Sequence, residues 1–338
     1  MVDCAAPSGD DHVLPQGLIW SSDDQPGFSR RRAGSGFSYR DAGGVTIRRN
    51  ADLARIRHLA IPPAWTEVWI CPKAAGHIQA TGRDAKGRKQ YRYHPDWNSV
   101  RAENKFDKLA GFAKSLPRLR RQVESDLSLP GAHRAKVLAA SVRLLELTLI
   151  RVGNAQYARQ NRSYGLTTLH KRHLTIEGVA LRFSFRGKSG VDHQVSIRDR
   201  RLATVVRSLR ELPGQGLFKY RDPDGALHQI SSDDVNAYIR AVMGDDFSAK
   251  DFRTWAGTVS AARFLKEVEL PTSPTDAKRK TVAGLLGNTP SVCRTSYVHP
   301  IVLALFETGE LASALPGAET AGFEKALAKA LALQGKSA

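Results

Sequence analysis

Five side chains between residues 151 and 297 are of types that together could work on a phosphodiester: Arg151, Lys188, Arg253, Asn288 and Tyr297. A tyrosine hydroxyl attacks phosphorus once its proton is gone, but a pKa of about 10 makes that loss costly at neutral pH. Nearby cations lower the cost and stabilise the added negative charge on a pentacoordinate phosphorus. Arginine suits the second task because its planar fork binds two phosphate oxygens and stays charged. A lysine can hand a proton to the departing oxygen and take it back on rejoining. A covalent phosphotyrosine conserves the bond energy, so resealing needs no ATP. Such a set also needs no metal.

Taken singly, each residue has an ordinary reading. Most of the 51 Lys and Arg residues must lie on solvated surface. Lys188 sits where a hairpin-tip lysine is common, and Arg253 is two residues from Asp251, a plausible ion-pair partner. Asn288 before Thr289-Pro290 suits a helix end, and Tyr297 is one of eight tyrosines, usually packing groups. The spacing alone does not bring the five together.

The composition narrows the partners. The chain has 338 residues, enough for two domains, and 41% are hydrophobic, enough for packed cores. The formal net charge is +18, which favours a polyanion, most often nucleic acid. No apolar run approaches the roughly 20 residues a membrane span requires. Cys4, Cys71 and Cys293 are too few and too scattered for a disulfide framework, which fits a reducing cytoplasm. No Cys/His cluster has zinc spacing. The first residues lack the basic start and apolar stretch of a secretion signal.

The elements that must position the five follow from periodicity. Residues 1–20 read as a mobile tail, and residues 21–98 as a small β-rich domain. Its strands are predicted at Glu67–Cys71, His77–Thr81 and Lys89–His94, with a turn over Asp84–Arg88. Alternation puts Gln90 and Arg92 on one strand face, Tyr91 and Tyr93 on the other. Pro95 to Glu103 reads as a linker. Residues 99–338 read as a mainly helical domain, with helices at Phe106–Ser115, Pro117–Leu127 and Ala132–Arg151. A small β insert follows: a short piece at Leu166–Leu169, then Leu181–Phe185 and Val191–Ile197. That hairpin carries Lys188 at its tip. Further helices are predicted from Asp199, from Ser232 and from Asp251, then over Lys278–Leu286. The last carries Phe323, Leu327 and Leu331 on one face. The fold class is α+β.

Several longer motifs occur in order. They are Gly82-Arg83-Asp84-Ala85-Lys86-Gly87-Arg88-Lys89-Gln90-Tyr91-Arg92-Tyr93, Asp251-Phe252-Arg253-Thr254-Trp255-Ala256-Gly257, and Gly-Asn-Thr-Pro-Ser-Val-Cys-Arg-Thr-Ser-Tyr at 287–297. On these, from about Gly36 to Gly309, the chain resembles the type IB DNA topoisomerases of the small poxvirus and bacterial kind. The resemblance implies the catalytic fold shared with tyrosine recombinases and a C-shaped clamp on double-stranded DNA. It implies that Tyr297 attacks the phosphodiester and keeps the 3′-phosphate. Lys188 would then be the general acid, with Arg151 and Arg253 stabilising the transition state. Asn288 departs from the viral pattern, which has histidine there; an amide donates a hydrogen bond but carries no proton or charge.

By the same resemblance, Gln90, Tyr91 and Tyr93 enter the major groove, where Gln pairs with adenine and tyrosines meet thymine methyls or phosphates. Lys86, Arg88, Tyr157 and Arg294 are further candidate DNA contacts. The implied enzyme is a cytoplasmic, nucleoid-associated monomer that relaxes positive and negative supercoils. It requires no cofactor, and Mg²⁺ is at most stimulatory. The alternative is a tyrosine site-specific recombinase or integrase. Two features weigh against it: Lys250-Asp251-Phe252 stands where recombinases carry a histidine, and the N-terminal region reads as β. The sequence leaves open whether Arg30–Arg32 touch DNA.

Overall fold

The computed structural model describes residues 14–267 and 296–334. The chain forms two compact units, residues 1–105 and 106–338. The first is built on β1 (Phe28–Ala33), β2 (Gly36–Arg40), β3 (Thr66–Ile70), β4 (Ile78–Arg83) and β5 (Lys89–Tyr93). They form an antiparallel sheet in the order β2-β1-β3-β4-β5. The three predicted strands are β3, β4 and β5. The arginine run Arg30–Arg32 lies within β1, and its polar composition hides that strand. The helix α1 (Asn50–His58) lays Ile56 against Val68, Ile70 and Ala80 to close a small core.

Arg30 is a structural brace. Its guanidinium donates to the carbonyls of Ile61 (3.2 Å), Pro62 (3.0 Å) and Trp65 (2.6 Å) and lies 4.2 Å from the Phe37 ring centroid. Arg31 and Arg32 are exposed. Part of the expected tail is docked. Ile19 donates to the Ala75 carbonyl at 2.9 Å and accepts from the His77 amide at 3.0 Å. Trp20 then packs edge-on against His77 and Trp97. An aromatic cluster holds the chain there, which polar composition upstream does not announce.

The expected linker after Pro95 is instead a helix, α2 (Pro95–Asp107), with its proline in the first turn, where no N–H is needed. The second unit starts with α3 (Leu109–Leu127). Its apolar stripe of Leu109, Phe112, Leu116, Leu119, Val123 and Leu127 is buried without a break. Two helices were expected here, divided at Pro117. The proline lies within one helix, on its exposed side, where losing one backbone bond costs less than breaking a buried stripe.

α4 (Arg134–Thr148) runs through the core with Val137, Leu138, Ala140, Leu144 and Leu145 buried. α5 (Ala155–Asn161) follows. A three-stranded antiparallel sheet, β6 (Leu174–Glu177), β7 (Ala180–Arg186) and β8 (Asp192–Arg198), carries the expected hairpin; β6 was not expected. Residues Leu166–Thr168, expected as β, form a 3₁₀ turn that is wholly buried.

α6 (Arg200–Glu211), a two-stranded ribbon of β9 (Lys219–Arg221) and β10 (Leu227–Gln229), α7 (Ser232–Met243) and α8 (Ala249–Lys266) come next. Beyond residue 295 the described helices are α9 (Pro300–Glu307), α10 (Leu311–Ala314) and α11 (Phe323–Gln334). α11 buries Phe323, Leu327 and Leu331 as its periodicity predicts. The expected helix at Lys278–Leu286 lies outside the described residues.

Candidate active site

Arg151 lies just beyond α4 rather than on it. Leu149 caps that helix in the left-handed region at φ 54°, and Leu149 to Gly153 runs on as irregular chain. The Arg151 carbonyl accepts from the Leu166 amide at 2.9 Å, and the Val152 carbonyl from the Thr167 amide at 2.8 Å. Gly153 and Gly165 permit this crossing. A Cβ on Gly165 would sit 2.5 Å from the Gly153 Cα and 2.6 Å from the Arg151 carbonyl oxygen. Only hydrogen fits there.

The next residue back, Tyr164, donates its amide to the Arg186 carbonyl at 2.7 Å. Arg186 ends β7, and Gly187 leads into the 3₁₀ turn Lys188–Gly190. The short segment 164–166 therefore bonds on one side to the Arg151 chain and on the other to the Lys188 hairpin. Gly187 is buried and Lys188 exposed, so the backbone at the tip is fixed while the ammonium projects, as expected.

Arg253 comes from α8 and is 6% exposed. Its Nη1 donates to the carbonyl of Leu149, two residues before Arg151. The helix end at Leu149 is what frees that oxygen for a side-chain donor. Asp251, the ordinary ion-pair candidate, serves elsewhere. It accepts from the Ser248 amide at 2.8 Å to cap α8, and Lys108 Nζ lies 3.4 Å away. The Arg253 guanidinium carbon stands 5.3 Å from the Tyr297 ring centroid. Tyr297 is half-buried, and Thr258 ties its turn to α8 by donating to the Tyr297 carbonyl (3.3 Å) and accepting from the His299 amide (3.2 Å).

His299 anchors the other end of that turn. It is buried, and its Nδ1 accepts from the Ile301 amide at 3.2 Å to cap α9. Burial pushes its imidazole down to about 4, against a smaller opposing effect of a hydrogen bond to the Phe106 backbone. A second imidazole, His193 on β8, lies near the arginines. Burial, then the charges of Arg151 and Arg253, hold it below the ordinary histidine value. Neither histidine was singled out in the sequence. A His-Pro pair starting a helix was the available signal for His299; nothing local marks His193.

Arg151, Arg253 and Tyr297 are thus brought together, and the hairpin carrying Lys188 is bonded to the same framework. Asn288 and Arg294 lie outside the described residues. The remaining predicted contacts fall in two places. Tyr157 lies in the short helix α5, where its amide donates to the Asn154 side chain at 2.9 Å. Lys86, Arg88, Gln90, Tyr91 and Tyr93 lie on the β4–β5 hairpin. There Asp84 is a hub missed by sequence reasoning. Its Oδ1 accepts from the amides of Lys86 (2.9 Å) and Arg88 (3.0 Å), and its Oδ2 from Arg88 Nε (2.8 Å) and Gln90 Nε2 (3.0 Å). The Arg88 hydrogen bond first, then the backbone donors, hold this carboxyl down at about 2. Tyr91 is exposed and stacks on Tyr93 with ring centroids 5.8 Å apart.

Residues 94–300 match the family model described as eukaryotic DNA topoisomerase I, catalytic core, and residues 36–84 match bacterial DNA topoisomerase IB, N-terminal domain. The chain is 33% identical over 294 residues to DNA topoisomerase 1B of Acanthamoeba polyphaga mimivirus, covering 83% of this chain and 88% of that protein. It is 23% identical over 260 residues to DNA topoisomerase 1B of Vaccinia virus (strain Copenhagen), covering 74% and 80%. The chain belongs to the type IB DNA topoisomerase family, and the recombinase alternative is set aside. Among the described residues no helix is long and apolar enough to cross a membrane.

Proposed function

We propose that this enzyme relaxes DNA supercoils of both signs by cutting one strand, letting it rotate, and resealing it. The carrying observation is the Arg253 guanidinium 5.3 Å from the Tyr297 ring while one of its N–H groups holds the Leu149 carbonyl beside Arg151. Tyr297 Oη attacks the phosphorus. The P–O5′ bond breaks as the Oη–P bond forms, leaving a 3′-phosphotyrosine and a free 5′-hydroxyl. Lys188 supplies the proton to O5′ and takes it back on resealing. Arg151 and Arg253 bind the non-bridging oxygens as charge builds on them, and Asn288 adds a hydrogen bond.

The charges of these side chains serve in place of a metal, so neither a divalent ion nor ATP is required; Mg²⁺ acts only on product release. The enzyme works as a monomer on nucleoid DNA and closes as a clamp, one unit on each side of the duplex. Most of its affinity comes from phosphate neutralisation and falls steeply with salt. Gln90, Tyr91 and Tyr93 read the major groove, while Lys86, Arg88, Tyr157 and Arg294 hold phosphates or nearby bases.

A nicked oligonucleotide labelled at either end of the scissile strand tests this reading in EDTA without ATP. The 5′-end label stays with denatured protein, and the 3′-end label is released on a fragment with a 5′-hydroxyl. Transfer of the other label, or loss of the adduct in EDTA, contradicts it.

A further inference from the structure

His193 faces Phe185 across the β7–β8 pair, with the two rings stacked at 5.2 Å and 13°. Its ring also covers Gly187. A Cβ on Gly187 would lie 2.4 Å from His193 Cδ2 and 2.6 Å from Nε2. The imidazole is therefore a flat lid pressed on the backbone immediately before Lys188, with buried Phe185 beneath it. Arg151 and Arg253 are close enough for their charges to oppose its protonation, after burial itself. Asp192, next to it in sequence, favours the proton but is outweighed. The ring thus lies against the Lys188 hairpin, within reach of the charges of Arg151 and Arg253. Gly187 is needed because the ring leaves no room for a side chain.

We propose that His193 is a positioning residue that holds the Gly187–Lys188 backbone so that the Lys188 ammonium reaches the departing 5′-oxygen. The proposal rests on the reading of Lys188 as general acid. In that step the proton moves from Lys188 Nζ to O5′ as the P–O5′ bond breaks and the Tyr297 Oη–P bond forms. His193 neither touches DNA nor exchanges a proton; it fixes where the donor stands. Misplacing such a group by about 1 Å costs on the order of 100-fold, and a general acid is worth about 10²–10⁴-fold.

The test compares single-turnover cleavage of ordinary DNA with cleavage of DNA carrying sulfur in place of the bridging 5′-oxygen. A thiolate leaves without a proton, so this substrate bypasses the general acid. His193→Ala is expected to slow ordinary cleavage about 10- to 100-fold and sulfur-substrate cleavage only about 3-fold or less. His193→Phe, which keeps a flat neutral ring, is expected to recover most of the rate. Where His193→Ala does not fold, His193→Gln carries the same comparison.

An equal defect on both substrates, or a phenylalanine variant as slow as the alanine one, overturns the proposal. Lys188→Ala run beside them separates the two readings. If the sulfur substrate restores Lys188→Ala but not His193→Ala, the His193 proposal alone fails. If it does not restore Lys188→Ala, the general-acid reading fails and takes the His193 proposal with it.

Discussion

The guanidinium of Arg253 is held between the Leu149 carbonyl, which accepts from its Nη1, and the Tyr297 ring, whose centroid is 5.3 Å from its central carbon. A guanidinium presents five N–H donors in a rigid fork, so one can anchor while others face a ligand. An ammonium of similar length cannot do both. Arg253→Lys is therefore expected to lower the cleavage rate about 10²–10³-fold with DNA binding nearly unchanged. Rapid-quench cleavage and a binding isotherm check this; a lysine variant within a few-fold of wild type contradicts it.

Gly165 offers a probe of Arg151 that leaves its side chain intact. The Cβ of Gly165→Ala would meet the Gly153 Cα at 2.5 Å and push the Arg151 chain off the Leu166 amide. The expected outcome is a stability loss of about 1–3 kcal/mol by denaturant titration. A disproportionate fall in cleavage, larger than the folded fraction explains, should accompany it.

Asp84 gathers Lys86, Arg88 and Gln90 without itself being a base reader. Gln90 Nε2 donates to Asp84 Oδ2, so the carboxylate holds the Gln90 amide in place. Asp84→Asn removes the charge and one strong acceptor, freeing Arg88 and Gln90. The spectrum of cleavage sites on a long duplex is expected to broaden, with bulk affinity changing little. Identical site spectra contradict this role.

His299 sets an acid limit. Folding holds its imidazole near 4 against an ordinary value of 6.5, so the native state binds fewer protons than the unfolded chain. Stability therefore falls as pH drops from about 6.5 towards 4 and levels off below. Protonation also removes the Nδ1 acceptor of the Ile301 amide, two residues beyond the turn that bears Tyr297. The protection factor of the Ile301 amide, its exchange rate relative to the intrinsic rate at each pH, is expected to fall over that range, and a protection factor unchanged down to pH 4 contradicts it.

Local pattern was enough for elements whose reward is local. Alternation located β7 and β8 and placed Lys188 at their tip, and the 3.6-residue stripe located α11. Pattern failed where tertiary burial outweighed a local signal. Pro117 reads as a helix start, yet the stripe from Leu109 to Leu127 carries the helix past it. Thr167 and Thr168 favour a strand, yet the need to bond the Arg151 chain makes a buried 3₁₀ turn. The candidate site residues were named through motif resemblance. Their framework was not, because the Leu149 carbonyl, the Gly153–Gly165 crossing and the His193 lid are contacts between distant segments.

The most direct test of the central claim is relaxation of positively and negatively supercoiled plasmid in EDTA without ATP, wild type beside Tyr297→Phe. Wild type is expected to relax both signs and to yield a denaturant-trapped 3′-linked covalent complex, and Tyr297→Phe to do neither. Relaxation by the phenylalanine variant, or a wild type that requires metal or ATP, would contradict the account.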